Sequence, residues 1–152
     1  MFMKAVLCKQ FGPPESLVLE DLPSPKAGGG EVVVAVKAAS VNFPDFLIIQ
    51  NKYQFKPPLP FSPGSELAGV VKEVGAGVTN VRPGDRVIAF TTYGAFAEEV
   101  KTEAARLLPL PEKMDFVTGA AFLLTYATSD HALRDRAEHE QCLARLQRGA
   151  IA

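Results

Sequence analysis

A mainly β fold with short helices is what this sequence predicts, and three observations carry the prediction. Runs of Val, Ile and Leu are short, at residues 31–40, 67–74 and 86–90, which suits strands better than helices. Gly and Pro, 12 of each in 152 residues, punctuate the chain between those runs and mark turns. Apolar residues at helical spacing come only from Asp115 onward, at Phe116, Ala120, Leu123 and Leu124.

In order, residues 4–9 and 17–22 read as strands separated by Gly12-Pro13-Pro14, and residues 23–30 form a turn-rich connection ending in Gly28-Gly29-Gly30. Residues 31–40 are the strongest strand. Asn42 or Asp45 caps a short helix carrying Phe46, Leu47, Ile48 and Ile49, and Pro44 fits its first turn because the amide it lacks would be unpaired there. Four prolines make residues 53–63 irregular. Residues 67–74 are a buried strand, followed by turns at Gly75-Ala76-Gly77 and Pro83-Gly84-Asp85, and residues 86–90, 95–101 and 105–108 are further strands. A second C-terminal helix begins at Ala127 or Thr128 and runs past Leu133.

Composition narrows the function. With 47% hydrophobic residues the chain buries one sizeable core but not two full domains. A net charge of -1 with both signs interspersed provides no basic stripe, so no nucleic-acid or anionic-lipid partner is expected. No segment has the apolar length of a membrane span, and Met1-Phe2-Met3-Lys4 leads into no secretion signal, so the expected location is cytoplasmic. Cys8 and Cys142, at opposite ends, build neither a disulfide framework nor a four-cysteine zinc lobe. Both glycine clusters read as turns rather than phosphate loops, because neither leads into a helix N-terminus.

Gly64-x-Glu66-x-x-Gly69, Gly75-x-Gly77-Val78 and Pro83-Gly84-Asp85-Arg86-Val87 together resemble the first domain of the medium-chain dehydrogenase/reductases. Val41-Asn42-Phe43-Pro44-Asp45, Tyr53 before Pro57-Pro58, Gly94-Ala95-Phe96-Ala97-Glu98 and Thr125-Tyr126-Ala127-Thr128 leading into His131-Ala132-Leu133 extend the likeness over residues 4–138, in order. Each motif alone is weak; their order and spacing are not. The resemblance implies a GroES-like β-barrel followed by C-terminal helices, and within the superfamily it is strongest to the zinc-free NADPH:quinone oxidoreductase branch.

What the resemblance implies for a site is specific. Zinc-dependent relatives place Cys and His where this chain has Asn42 and Ser65, so no zinc is expected. NADPH is the cofactor, and a small planar molecule such as a quinone, or an activated alkene, is the substrate. Asn42, Asp45 and Thr125 are assigned to cofactor binding, and Tyr53, Asn42 and Ser65 to catalysis. Tyr53 supplies a proton or hydrogen bond to the reduced acceptor, Asn42 and Ser65 donate to its oxygen or orient the nicotinamide, and Thr125 holds the carboxamide. Plainer roles stand beside these: Asn42 as a helix cap, Asp45 bonded to local backbone, Tyr53 covering apolar surface, and Ser65 and Thr125 satisfying backbone groups. Glu66 reads as a structural acceptor and His131 as a packed or capping histidine. His139 and Cys142, three residues apart, read as a surface coincidence rather than a metal pair. Phe43, Phe46, Phe55 and Phe61 suit either a planar substrate or the barrel's core and rim.

After residue 138 the likeness stops: residues 139–152 hold neither a β run nor a glycine fingerprint. The expected organisation is a GroES-like catalytic domain over residues 1–126 and a helical tail over 127–152, the start of a truncated nucleotide-binding domain, with no complete Rossmann domain. Such a chain is expected to be inactive alone and to meet either a complementary Rossmann chain or a second copy of itself. The alternative is a non-catalytic GroES-like module that binds a partner chain or self-associates.

Overall fold

A computed structural model of the chain describes residues 1–136. They fall into two units, Met1–Ala121 and a second that begins at Phe122; the sequence reading sets the boundary after residue 126. In the first unit, β1 (Phe2–Leu7) and β2 (Val18–Pro23) form an antiparallel pair joined through a 3-10 turn at Pro14–Ser16. Five further strands, β3 (Glu31–Ser40), β4 (Glu66–Val74), β5 (Arg86–Phe90), β6 (Glu99–Glu103) and β7 (Leu107–Pro109), make an antiparallel sheet in the order β6-β3-β4-β5-β7. Helix α1 (Phe43–Ile48) follows β3, and α2 (Phe116–Ala120) closes the unit.

The apolar runs become strands because both faces of the central sheet are covered. Val32, Val34, Leu67, Val71, Val87, Val100 and Leu107 form one buried cluster. Helix α2 packs on β3, β4 and β5, and an added Cβ at its Gly119 would lie 2.5 Å from Leu110, 3.3 Å from Ala68 and 3.5 Å from Ile88. Asp115 caps α2 by accepting the Thr118 N–H at 2.7 Å. The loop before it is pinned by Arg86, whose guanidinium donates to the Glu112 and Met114 carbonyls at 2.8 and 2.6 Å and lies 4.7 Å from the Phe116 ring centroid.

One difference from the sequence reading has a physical cause. The strand expected over residues 95–101 is regular only from Glu99, because Ala95 and Phe96 donate instead to Gly64 and Pro63, and Phe96 and Glu98 bond to Val6 and Lys4. Residues 95–98 thereby join the two-stranded sheet to the five-stranded one, through a bridge between Ala5 and Ala97. The two glycine clusters are turns, as read, but they also interlock: Gly30 donates to the Ala76 carbonyl at 2.8 Å and Gly75 to Glu31 at 2.8 Å. A Cβ on Gly75 would lie 1.6 Å from the Gly28 oxygen.

In the second unit, helical turns run from Phe122 to Arg136, with π-type turns at Leu123–Ala127 and Ala132–Arg136 flanking α3 (Thr128–His131). Phe122 and Tyr126 stack at 4.9 Å. His131 sits exposed in the last turn of α3 rather than packed. His139 and Cys142 lie outside the described residues.

Gly69 sits mid-strand in β4, where a Cβ would lie 2.3 Å from the Ala35 carbonyl oxygen and 2.8 Å from Val34 Cγ1. Gly69→Ala is therefore expected to cost about 1–3 kcal/mol in urea unfolding, although strands ordinarily prefer Ala to Gly. An unchanged unfolding midpoint would refute the close approach of β3 and β4.

Candidate functional site

The site is built where β3 ends and β4 begins. Ser40, the last residue of β3, is paired with Glu66, the first of β4, and the Ser40 hydroxyl donates to Glu66 Oε2 at 2.8 Å. Asn42 caps α1 from an extended backbone, and its Nδ2 donates to Ser40 Oγ at 2.8 Å and reaches Glu66 Oε2 at 3.5 Å. Glu66 is 0% exposed. Pro44 occupies the first turn of α1, and Asp45 returns its carboxylate to the Asn42 N–H at 2.9 Å, forming a capping box.

Asp45 and Ser65 are 5% and 7% exposed. Burial pushes the Asp45 carboxyl above its ordinary value, against the pull of the Asn42 N–H, the Ser65 hydroxyl and the Gly64 N–H, while the neighbouring Glu66 charge pushes it further up. Ser65 acts on Asp45 from nearby, yet its Oγ meets no partner at full hydrogen-bond geometry. Thr91 anchors the adjoining backbone by donating its N–H to the Ser65 carbonyl at 2.7 Å.

Tyr53 stands on a different support. It is half-buried against Cys8, Ile48, Ile49 and Phe61. Phe61 meets Tyr93 edge-on and Phe55 stacks on Tyr93, each at 6.0 Å between centroids. Of the four candidate phenylalanines, Phe61 is core at 3% exposure and Phe55 is rim, while Phe43 and Phe46 are exposed on α1 at 71% and 45%. Phe61, Tyr93, Ser62 and Thr91 also line an open cavity of about 490 Å³ between β1 and β6; Asn42, Asp45 and Ser65 do not line it.

The structure thus brings Asn42, Asp45 and Ser65 together around Glu66 and sets Tyr53 on an aromatic rim beside the end of α1. Thr125 belongs to the second unit, exposed in the π-type turn, where its carbonyl accepts the Ser129 hydroxyl at 2.9 Å. Ser40 and Tyr93 are the site-forming residues that sequence reasoning missed. Among the described residues no group of three or more His, Cys, Asp or Glu is placed to hold a metal ion.

With the geometry in place, comparison with known proteins decides the family. The pattern of the alcohol dehydrogenase GroES-like domain matches residues 28–112. The chain belongs to this family. Rat quinone oxidoreductase is 39% identical over 133 residues, covering 86% of this chain and 40% of that protein. The structure of human synaptic vesicle membrane protein VAT-1 homolog-like protein superposes with a TM-score of 0.87 at 35% identity, over 90% of this chain and 44% of that one. Escherichia coli quinone oxidoreductase complexed with NADPH superposes at 0.84 with 31% identity, over 89% and 41%. The GroES-like chain spans about two fifths of the length of the curated relatives it matches. Those relatives include quinone oxidoreductases of the medium-chain dehydrogenase/reductase superfamily, and the mainly β fold agrees with the GroES-like expectation.

The raised Asp45 pKa has a signed consequence. The folded state holds this proton more tightly than the unfolded chain, so the stabilisation is complete below the ordinary value of 3.8 and is lost as pH rises through the folded value. Ionising this buried carboxyl is a net cost to the fold. Asp45→Asn keeps an acceptor for the Asn42 N–H without the charge, so its stability relative to wild type should improve as pH rises from below 3.8 toward neutrality. Urea unfolding at a series of pH values reads this; a difference independent of pH would show that Asp45 is not held above its ordinary value.

Proposed function

We propose that residues 1–121 form the substrate-side wall of a zinc-independent oxidoreductase that passes hydride from NADPH to a quinone or an activated alkene. The observation that carries this reading is the Ser65 hydroxyl, 7% exposed and lacking a well-aligned partner beside Asn42 and Asp45. A buried polar group left in this state is costly unless a ligand completes it. The donor set around it is amide, hydroxyl and carboxylate, with neither thiolate nor imidazole, and that chemistry suits a nicotinamide and a carbonyl acceptor better than zinc.

On this reading bound NADPH supplies the hydride, and the chain's own residues bind, orient and handle the proton. Ser65 donates to the acceptor oxygen. Tyr53, held on the aromatic rim, donates a proton or hydrogen bond to the oxygen as negative charge builds there. Asn42 and Asp45 fix the nicotinamide side of the wall. The exposed faces of Val41, Phe43 and Phe46 beside Asn42 offer apolar surface for a planar ring or a facing domain. A nucleotide-binding βαβ unit is the other wall such a cleft needs, and none lies among the described residues. Residues 1–136 are therefore expected to reduce no quinone unaided.

A chimera tests the reading. Residues 1–138 placed ahead of the nucleotide-binding part of Escherichia coli quinone oxidoreductase should give NADPH-dependent quinone reduction, and Tyr53→Phe in that chimera should lower kcat by about 100-fold. A folded chimera that binds NADPH yet reduces neither quinones nor enones would favour the non-catalytic module instead.

A further inference from the structure

The hydrogen-bond chain that starts at Glu66 has a direction, and the direction decides what Asn42 offers a ligand. A carboxylate only accepts hydrogen bonds. Ser40 spends its single O–H on Glu66 Oε2 at 2.8 Å, so toward Asn42 its oxygen acts as an acceptor. The Asn42 group 2.8 Å from Ser40 Oγ and 3.5 Å from Glu66 Oε2 is therefore the NH2. Turned over, the carboxamide would set its oxygen against the Ser40 hydroxyl and a Glu66 carboxylate oxygen. With the Ser40 proton kept on Glu66 two acceptors face each other, and with it turned to Asn42 the carboxylate loses the Ser40 and Asn42 donors together.

We propose that Ser40 and Glu66 are positioning residues that lock the Asn42 carboxamide with its NH2 inward, so that Asn42 meets a ligand only through Oδ1, as an acceptor. That oxygen has two lone pairs, of which the Asp45 N–H at the start of α1 takes at most one. The ligand chemistry so selected is an N–H or O–H donor, such as a primary carboxamide or a hydroxyl, and a bare carbonyl oxygen is refused. The inference rests on the proposed function and narrows it. Asn42 takes the N–H of a nicotinamide carboxamide, and donation to the acceptor oxygen falls to Ser65 and Tyr53 alone.

The test is the side-chain NH2 of Asn42 in the ¹⁵N-labelled 152-residue chain, followed by NMR and assigned by its loss in Asn42→Asp. Exchange of these protons with water should quicken about 2- to 10-fold in Ser40→Ala, and Ser40→Thr, which keeps the hydroxyl, should restore the wild-type rate. Glu66→Gln puts a donor at the base of the chain and should shift the Asn42 signals as the amide turns over. The backbone spectrum reports whether each variant is folded; if Glu66→Gln is not, the Ser40 pair decides. Native backbone spectra with unchanged Asn42 exchange in Ser40→Ala, or no rescue by Ser40→Thr, would overturn the proposal. Because the readout needs no cofactor, an inactive chimera would sink the proposed function and leave this polarity standing.

Discussion

The register of β3 against β4 is the constraint on which the rest of the first unit depends. It sets Ser40 opposite Glu66 at one end and Val32 opposite Val74 at the other, with irregularities between Val33 and Val34 and between Val36 and Ala38. Side chains alternate faces along a strand, so a slip of one residue would swing Glu66 and Leu67 to the wrong sides together. Gly69 reinforces the choice, since the close approach of the Ala35 carbonyl admits no side chain there. Every member of the polar cluster is then placed by covalent proximity to this pairing. Ser40 ends β3, Asn42 starts α1 two residues later, and Ser65 precedes β4. The cluster is thus held by strand ends rather than by a free loop, which suits groups whose orientation matters.

That placement is not a stabilising choice in itself. Removing a carboxylate from water costs several kcal/mol unless hydrogen bonds replace the lost hydration. Glu66 receives bonds from Ser40 and Asn42, and Asp45 receives the Asn42 N–H, but the two carboxyls are also near enough for the charge of one to raise the pKa of the other. Ser65 adds a buried hydroxyl with no well-aligned partner. An apolar filling of the same volume would hold the sheet together at less cost. Local rules broken side by side in an otherwise consistent fold are what a binding or catalytic surface leaves behind.

What the sequence disclosed follows the range of the interactions involved. Strands β3 and β5 were readable to the residue because their apolar runs are continuous and bounded by turns. The start of α1 was readable because cap chemistry is local: Asn42, Pro44 and Asp45 act within one turn. The start of β6 was not, because residues 95–98 are drawn off by Lys4, Val6, Pro63 and Gly64, partners remote in sequence. Ser40 escaped for the same reason: at the end of a strong strand a Ser looks like an edge, and only the β3–β4 register reveals its carboxylate. Aromatic residues were countable but not sortable, so Phe61 in the core and Phe55 on the rim looked alike until Tyr93 was found between them.

The two parts of the candidate site stand on different foundations, which bears on how such a domain accommodates different substrates. The polar cluster rides on the central sheet. The aromatic rim hangs instead from the segment after α1, which has no regular structure between Tyr53 and Ser62 apart from a bridge, Cys8 to Phe61, with bonds of 2.8 and 3.2 Å. A second tie joins the same region, where Gly12 donates to the Ile49 carbonyl at 2.9 Å. The rim is therefore fastened to the chain that follows β1, and its Tyr53 and Phe61 pack with Ile48 and Ile49 at the end of α1. Exchanging Phe55 or Tyr93 reshapes the aromatic rim, and neither residue is a hydrogen-bond partner in the Ser40–Glu66 rung. A fold divided in this way keeps the groups that handle hydrogen bonds and protons fixed while the surface that selects a planar partner is free to vary.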